Sequence, residues 1–164
     1  MVPRTHRGFA RLRKLLLGGA LLAALDVAFA ALFVTEIVTP GLGTVFSGAG
    51  GRNFILNTDE TVTGADAADY LFGAVSGQIE IRKTAGPQDA TIVAENITTS
   101  GGVTVNAVPC RFHNDPQTTC DGVGITVRLQ GPRTLYVGVN ITTTLVHVGG
   151  DAAGASYDIT VTLL

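Results

Sequence analysis

The chain has 164 residues, 46% hydrophobic and 15% charged, with 21 glycines, no tryptophan and a formal net charge of −2. Five of the eleven basic residues crowd into the first fourteen positions, so residues 31–164 hold six basic residues against twelve acids, near −6. No basic patch is left to follow a phosphate backbone, which excludes nucleic-acid binding as an expected role.

Arg4, Arg7, Arg11, Arg13 and Lys14 precede an apolar run from Leu15 to Leu25, and Ala28-Phe29-Ala30 places small residues at cleavage spacing. That three-part layout is a secretory signal. It predicts cleavage between Ala30 and Ala31, with residues 1–30 as signal peptide and 31–164 as one domain long enough to enclose a core. A retained membrane anchor is the alternative, because apolar character continues to Val38. Asp26 interrupts that span at a cost of roughly 2.5–3.5 kcal/mol, and the uninterrupted run is shorter than the ~20 residues a spanning helix needs. The expected location is therefore the periplasm, cell surface or extracellular space, with membrane contact only through the uncleaved signal.

Beyond the cleavage site, "ALFVTEIVTP" (31–40) is a short β-prone segment. Leu32, Val34 and Val38 share one face with Glu36, while Phe33 and Ile37 share the other with Thr35 and Thr39. Short alternating runs follow: "NFILN" (53–57), "QIEIR" (78–82), "TIVAE" (91–95), "GVTVNAV" (102–108), "GITVRL" (124–129), "TLYVGV" (134–139), "TTLVHV" (143–148) and "YDITVTL" (157–163). Period-two patterning with β-branched residues fits strands half buried against a second layer. Glycine- and proline-rich turns separate them at spacings near ten residues, the pattern of a sandwich or barrel. Residues 65–77 hold one expected helical turn, before Tyr70.

The acids Asp59, Glu60, Asp66 and Asp69 cluster in 57–70, where calcium would need six to eight oxygen ligands. The dense D-x-D-x-D spacing of a calcium loop is missing, so solvated acids are the expectation. "NITT" recurs at Asn96 and Asn140, each a formal glycosylation sequon that strand-edge threonine content also explains. His147 alternates with Leu145 and reads as a solvent-facing strand residue. No pair of carboxylates comes with an aromatic sugar platform.

Both cysteines bound "CRFHNDPQTTC" (110–120). A metal site would draw on Cys110, His113, Asp115 and Cys120, but no closely spaced ligand pair of the C-x₂₋₄-C kind is present. A catalytic thiol would have His113 on its own turn, whereas nucleophile and base usually come from distant segments. In an exported chain the simplest reading is a Cys110–Cys120 disulfide, worth about 3 kcal/mol on the loop-entropy estimate. Asn114-Asp115-Pro116 lets the chain double back inside it. The expectation is a protein with no catalytic residue, no metal and no cofactor.

"LYVGVNITTTLVHVGGDAAGASYDITVTLL" (135–164) resembles the C-terminal half of the bacterial domain-of-unknown-function family 4402 (DUF4402). The family's "LxVGxxLxV" strand pair falls on Leu135, Val137, Gly138, Leu145 and Val146. Its "AAGxY"-like loop falls on Ala152-Ala153-Gly154 with Tyr157, and its closing strand on Ile159-Thr160-Val161. "GLGTVFSGAGG" (41–51) is similar to the family's glycine-rich strand end, with Leu42-Gly43-Thr44 in place of "NFGT". That family is distantly similar to spore-coat-U-type pilin subunits. The resemblance implies an all-β, immunoglobulin-like antiparallel sandwich, exported and surface-associated, that carries over no catalytic residue. It makes a structural or adhesive subunit assembling through sheet edges, with itself or with other surface or fibre subunits, the first expectation. A monomeric extracellular ligand-binding module, calcium-stabilised or not, is the second. In such fibres an N-terminal segment like 31–39 can be donated to a neighbour; otherwise it is the first strand of its own sandwich.

Overall fold

The computed structural model describes residues 31–45, 51–98, 102–143 and 156–164. The expected signal with Ala28 and Ala30, residues 144–148 with His147, and the Ala152-Ala153-Gly154 loop lie outside the described residues.

Fourteen strands are described: β1 (Leu32–Val38), β2 (Thr44–Val45), β3 (Arg52–Leu56), β4 (Val62–Thr63), β5 (Tyr70–Phe72), β6 (Gly77–Lys83), β7 (Gln88–Glu95), β8 (Val103–Ala107), β9 (Pro109–Phe112), β10 (Thr118–Thr119), β11 (Ile125–Leu129), β12 (Arg133–Val137), β13 (Val139–Thr143) and β14 (Asp158–Leu163). The expected helical turn is a single 3-10 turn, Ala67–Asp69, directly before Tyr70. The named strands pair only antiparallel, in sheets ordered β1-β6-β12-β9-β10, β11-β7-β14, β4-β3-β13-β8 and β2-β5.

This is an all-β sandwich, and its layers follow from the alternation. On β7, Ala90, Ile92 and Ala94 turn inward while their neighbours stay partly or fully exposed; Val127 and Leu129 do the same on β11. They meet Ile81 of β6, Phe112 of β9 and Leu135 and Val137 of β12 across the core, with Val105 of β8 joining from the four-stranded sheet. Thr and charged residues on the other faces keep the outside polar.

The run 134–139 departs from expectation. It is not one strand but two, broken at Gly138: β12 lies in the five-stranded sheet and β13 in the four-stranded one. The facing chain changes sheet at the same level, from β8 through Val108 into β9, and the Gly138 amide donates to the Pro109 carbonyl at 2.7 Å. Two paired strands thus bend together from one layer into the other, a corner typical of orthogonally related sheets. Glycine is required at that corner because a Cβ on Gly138 would collide with the backbone carbonyl of Leu56.

β1 pairs with β6 of its own chain, from Leu32 opposite Lys83 to Val38 opposite Gln78, with an irregularity between Glu36 and Val38. The N-terminal segment is therefore seen as a first strand of its own sandwich, at the edge of the five-stranded sheet. β14 closes an edge of the three-stranded sheet beside β7.

Candidate functional site

The cysteine segment forms the β9–β10 hairpin, with Thr118 opposite Cys110 and Thr119 opposite Pro109. Pro109 opens β9, the strand position that tolerates a missing amide. The turn closes with the Asp115 amide donating to the Phe112 carbonyl at 2.9 Å, and His113 takes a left-handed φ of 53°. Cys110 and Cys120 are disulfide-bonded, with Cα atoms 5.7 Å apart, and both are fully buried. Cys120 also links the layers: its amide donates to Val108 and its carbonyl accepts from Ala94 of β7. His113 Nε2 sits 2.8 Å from Arg133 Nη1 and so accepts from the guanidinium. With both sulfurs bonded to each other and the imidazole facing a cation, this hairpin supplies neither a thiolate nor a metal ligand set.

Of the acids of 57–70, Asp59 and Glu60 are exposed as expected, while Asp66 and Asp69 are half-buried and paired with a cation. Arg52 reaches Asp66 at 2.9 Å and Asp69 at 2.8 Å, and the Asn53 amide donates to the second Asp66 oxygen at 2.7 Å. The Asn53 amide first, and Arg52 second, hold the Asp66 carboxyl below its ordinary range. Asp59 is held low chiefly by the Thr61 hydroxyl, which donates to it at 2.6 Å. Among the described residues no group of three His, Cys, Asp or Glu side chains is placed to hold a metal ion. The 57–61 turn is instead clipped to the cysteine hairpin: Gln117 accepts from the Thr58 amide and hydroxyl at 2.8 Å and donates to Asn57 at 2.9 Å.

The two sequons differ. Asn140 lies in β13, between β3 and β8, and its side-chain oxygen accepts from both Asn53 and Asn106. Asn96 is exposed beyond the end of β7, with φ 51°, and donates to Asp158 at 2.8 Å.

A cleft of about 640 Å³ opens between the layers, and no local sequence pattern announces it. β1, β6 and β12 form one wall; β8, β13 and residues 156–159 form the other. β8 and β14, the last strands of their sheets, both border it. Its lining mixes aliphatic side chains with a substantial polar share that includes Glu36, Thr39, Ser156, Tyr157 and Asp158. The Tyr157 hydroxyl is shut away from water without a hydrogen-bond partner. Burial, with the Glu36 charge adding, pushes its pKa far up, so it stays protonated as a donor. Tyr157 stands out in the sequence only as the tyrosine of the "AAGxY"-like match.

No family model, no curated protein and no solved structure matches this chain.

Proposed function

We propose that this chain is an exported, non-enzymatic structural or adhesive protein of a bacterial surface, whose copies join one another or other surface subunits through sheet edges. The observation that carries this reading is the composition of β1. An exposed edge strand presents unpaired backbone donors and acceptors, and proteins usually blunt such edges with lysine, proline, bulges or brevity. β1 is seven residues long with neither lysine nor proline, and it exposes Phe33 (50%), Val34 (44%) and Ile37 (56%). Its blunting features are the charge of Glu36 and the irregularity near Ile37. The other edges of the three larger sheets contrast with it: β4 and β10 have two residues each, β8 and β11 have five and expose only polar residues (Asn106 on β8, Thr126 and Arg128 on β11), and β14 alternates exposed Asp158, Thr160 and Thr162 with half-buried Ile159, Val161 and Leu163. The buried disulfide accords with an oxidising compartment, and the DUF4402 resemblance with a surface role.

Size-exclusion chromatography with negative-stain microscopy tests this reading. The native protein should form ladders or fibres, and Phe33→Lys/Ile37→Lys should shift it to a folded monomer. A native protein that stays monomeric at high concentration sinks the proposal, as does a double variant that assembles equally well.

A further inference from the structure

β1 carries a residue pattern that selects its own partner. The Thr84 amide donates to the Ala31 carbonyl at 3.2 Å, so Ala31 turns its backbone groups toward β6. Alternation from there aims the backbone of Phe33 and Thr35 at β6 and that of Leu32, Val34 and Glu36 outward, where no described strand meets them. A strand added antiparallel at this edge must set its own outward residues against these three. β1 meets that condition with itself, because its seven residues are centred on Thr35. With Thr35 facing Thr35 of a second copy, Val34 meets Glu36, Phe33 meets Ile37 and Leu32 comes level with Val38. Thr35–Thr35 and Phe33–Ile37 then occupy the non-hydrogen-bonded positions, where facing side chains come closest. Thr–Thr and aromatic–β-branched pairs are of the stabilising kind, and Phe33 and Ile37 each have about half their surface to bury. Shifting the register by two residues one way sets Glu36 directly against Glu36, a like-charge pair. Shifting it the other way sets Phe33 against Thr35 and Ile37 against Ala31, which loses the aromatic pair. The remaining edges, short or polar on their exposed side, offer β1 no comparable match.

We propose, resting on the edge assembly inferred above, that two copies of this chain join β1 to β1, antiparallel, with Thr35 on the two-fold axis. The five-stranded sheets of the two copies become one continuous sheet. Val34 and Glu36 of each copy exchange amide-to-carbonyl hydrogen bonds with Glu36 and Val34 of the other, ahead of the irregularity that follows Glu36. A contact that uses the same patch on both partners closes on itself. Longer assemblies therefore grow from the pair through a different edge, and their sizes step in twos.

The test is a set of single-cysteine variants of the full chain as recovered from its expressing host, cross-linked by mild oxidation and read on non-reducing gels. Thr35→Cys alone should give a covalent dimer, and so should Phe33→Cys mixed with Ile37→Cys. Phe33→Cys alone and Ile37→Cys alone should not, because like residues then lie about four strand steps apart, roughly 13 Å. Val34→Pro removes an outward amide and none that faces β6, as an edge strand tolerates, and should leave a folded monomer. Should that variant not fold, the cross-links decide. A covalent dimer of Phe33→Cys alone, the mark of a parallel pair, overturns the proposal. So does a mixed dimer of Phe33→Cys with Thr35→Cys or of Thr35→Cys with Ile37→Cys, the marks of slipped registers. A folded Val34→Pro that still pairs, or an oligomeric protein in which the expected cross-links fail, overturns it as well. Each of these results leaves assembly through sheet edges standing, whereas a native protein that is monomeric at every concentration overturns both.

Discussion

Gly138 lies against the carbonyl of Leu56 with no room for a side chain, at the point where β12 leaves one sheet and β13 enters another. The neighbour that a Cβ would strike is backbone, so neither partner can yield by turning a side chain. Gly138→Ala should cost about 3 kcal/mol, the upper range of overpacking penalties. Gly131→Ala, at an open position with φ 76°, should cost only the left-handed strain of about 1 kcal/mol. Paired denaturant melts that give equal losses would contradict this account of the corner.

The disulfide closes a short hairpin whose two sulfurs lie in the core. Replacing both residues (Cys110→Ala/Cys120→Ala) should lower stability by about 2–4 kcal/mol and leave any binding activity in place. In the native protein both cysteines should resist alkylation until reductant and denaturant are added together. Rapid labelling of a native thiol would show the bond to be absent.

Stability at low pH should depend on Asp66. Its carboxyl is depressed below the ordinary 3.8 in the folded chain, so the unfolded chain binds a proton first as pH falls. The contribution is therefore complete above the unfolded value and is lost as pH drops through the folded one, within about pH 5 to 1. Asp66→Asn should lower the melting temperature at neutral pH and flatten its fall on acidification. Parallel melting curves for the two proteins across that range would rule out this role.

Deleting residues 31–39 removes β1 and bares the outer edge of β6. Because Leu32 packs on the core, the truncated chain should unfold or precipitate. A truncated protein that is folded and monomeric, with its oligomers gone, would instead show that the segment is donated between copies.

Intact mass should place the N-terminus of exported protein at Ala31, within a residue or two. Recovery of only full-length chain from the membrane fraction would sink the cleaved-signal reading.

Much of the fold was legible because it is local. The alternation of Ala90, Ile92 and Ala94, or of Val127 and Leu129, is visible within one strand length and fixes which face is buried. The pairing of Cys110 with Cys120 followed from two cysteines in a chain read as exported. What escaped is what depends on distant residues. A glycine inside "TLYVGV" looks like an ordinary strand interior until Leu56 is known to lie against it. The acids at 66 and 69 look solvated until the strand pairing brings Arg52 beside them. Gln117 carries no local signal at all, yet it clips a turn 59 residues away. The cleft belongs to the same class, since its walls come from strands spread over the whole described chain.

The position of β7 has a consequence for synthesis. Its inward residues Ala90, Ile92 and Ala94 are at most 4% exposed in the finished protein, yet both its sheet partners, β11 and β14, are translated after it. A nascent chain thus emerges with β7 unsatisfied on both sides, and the last partner forms only from residues 158–163. Long-range pairing of this kind is slow and leaves strand edges open to aggregation. The interval between the appearance of β7 and that of β14 is when this chain most needs a holding chaperone, and slowing translation there should raise the insoluble fraction.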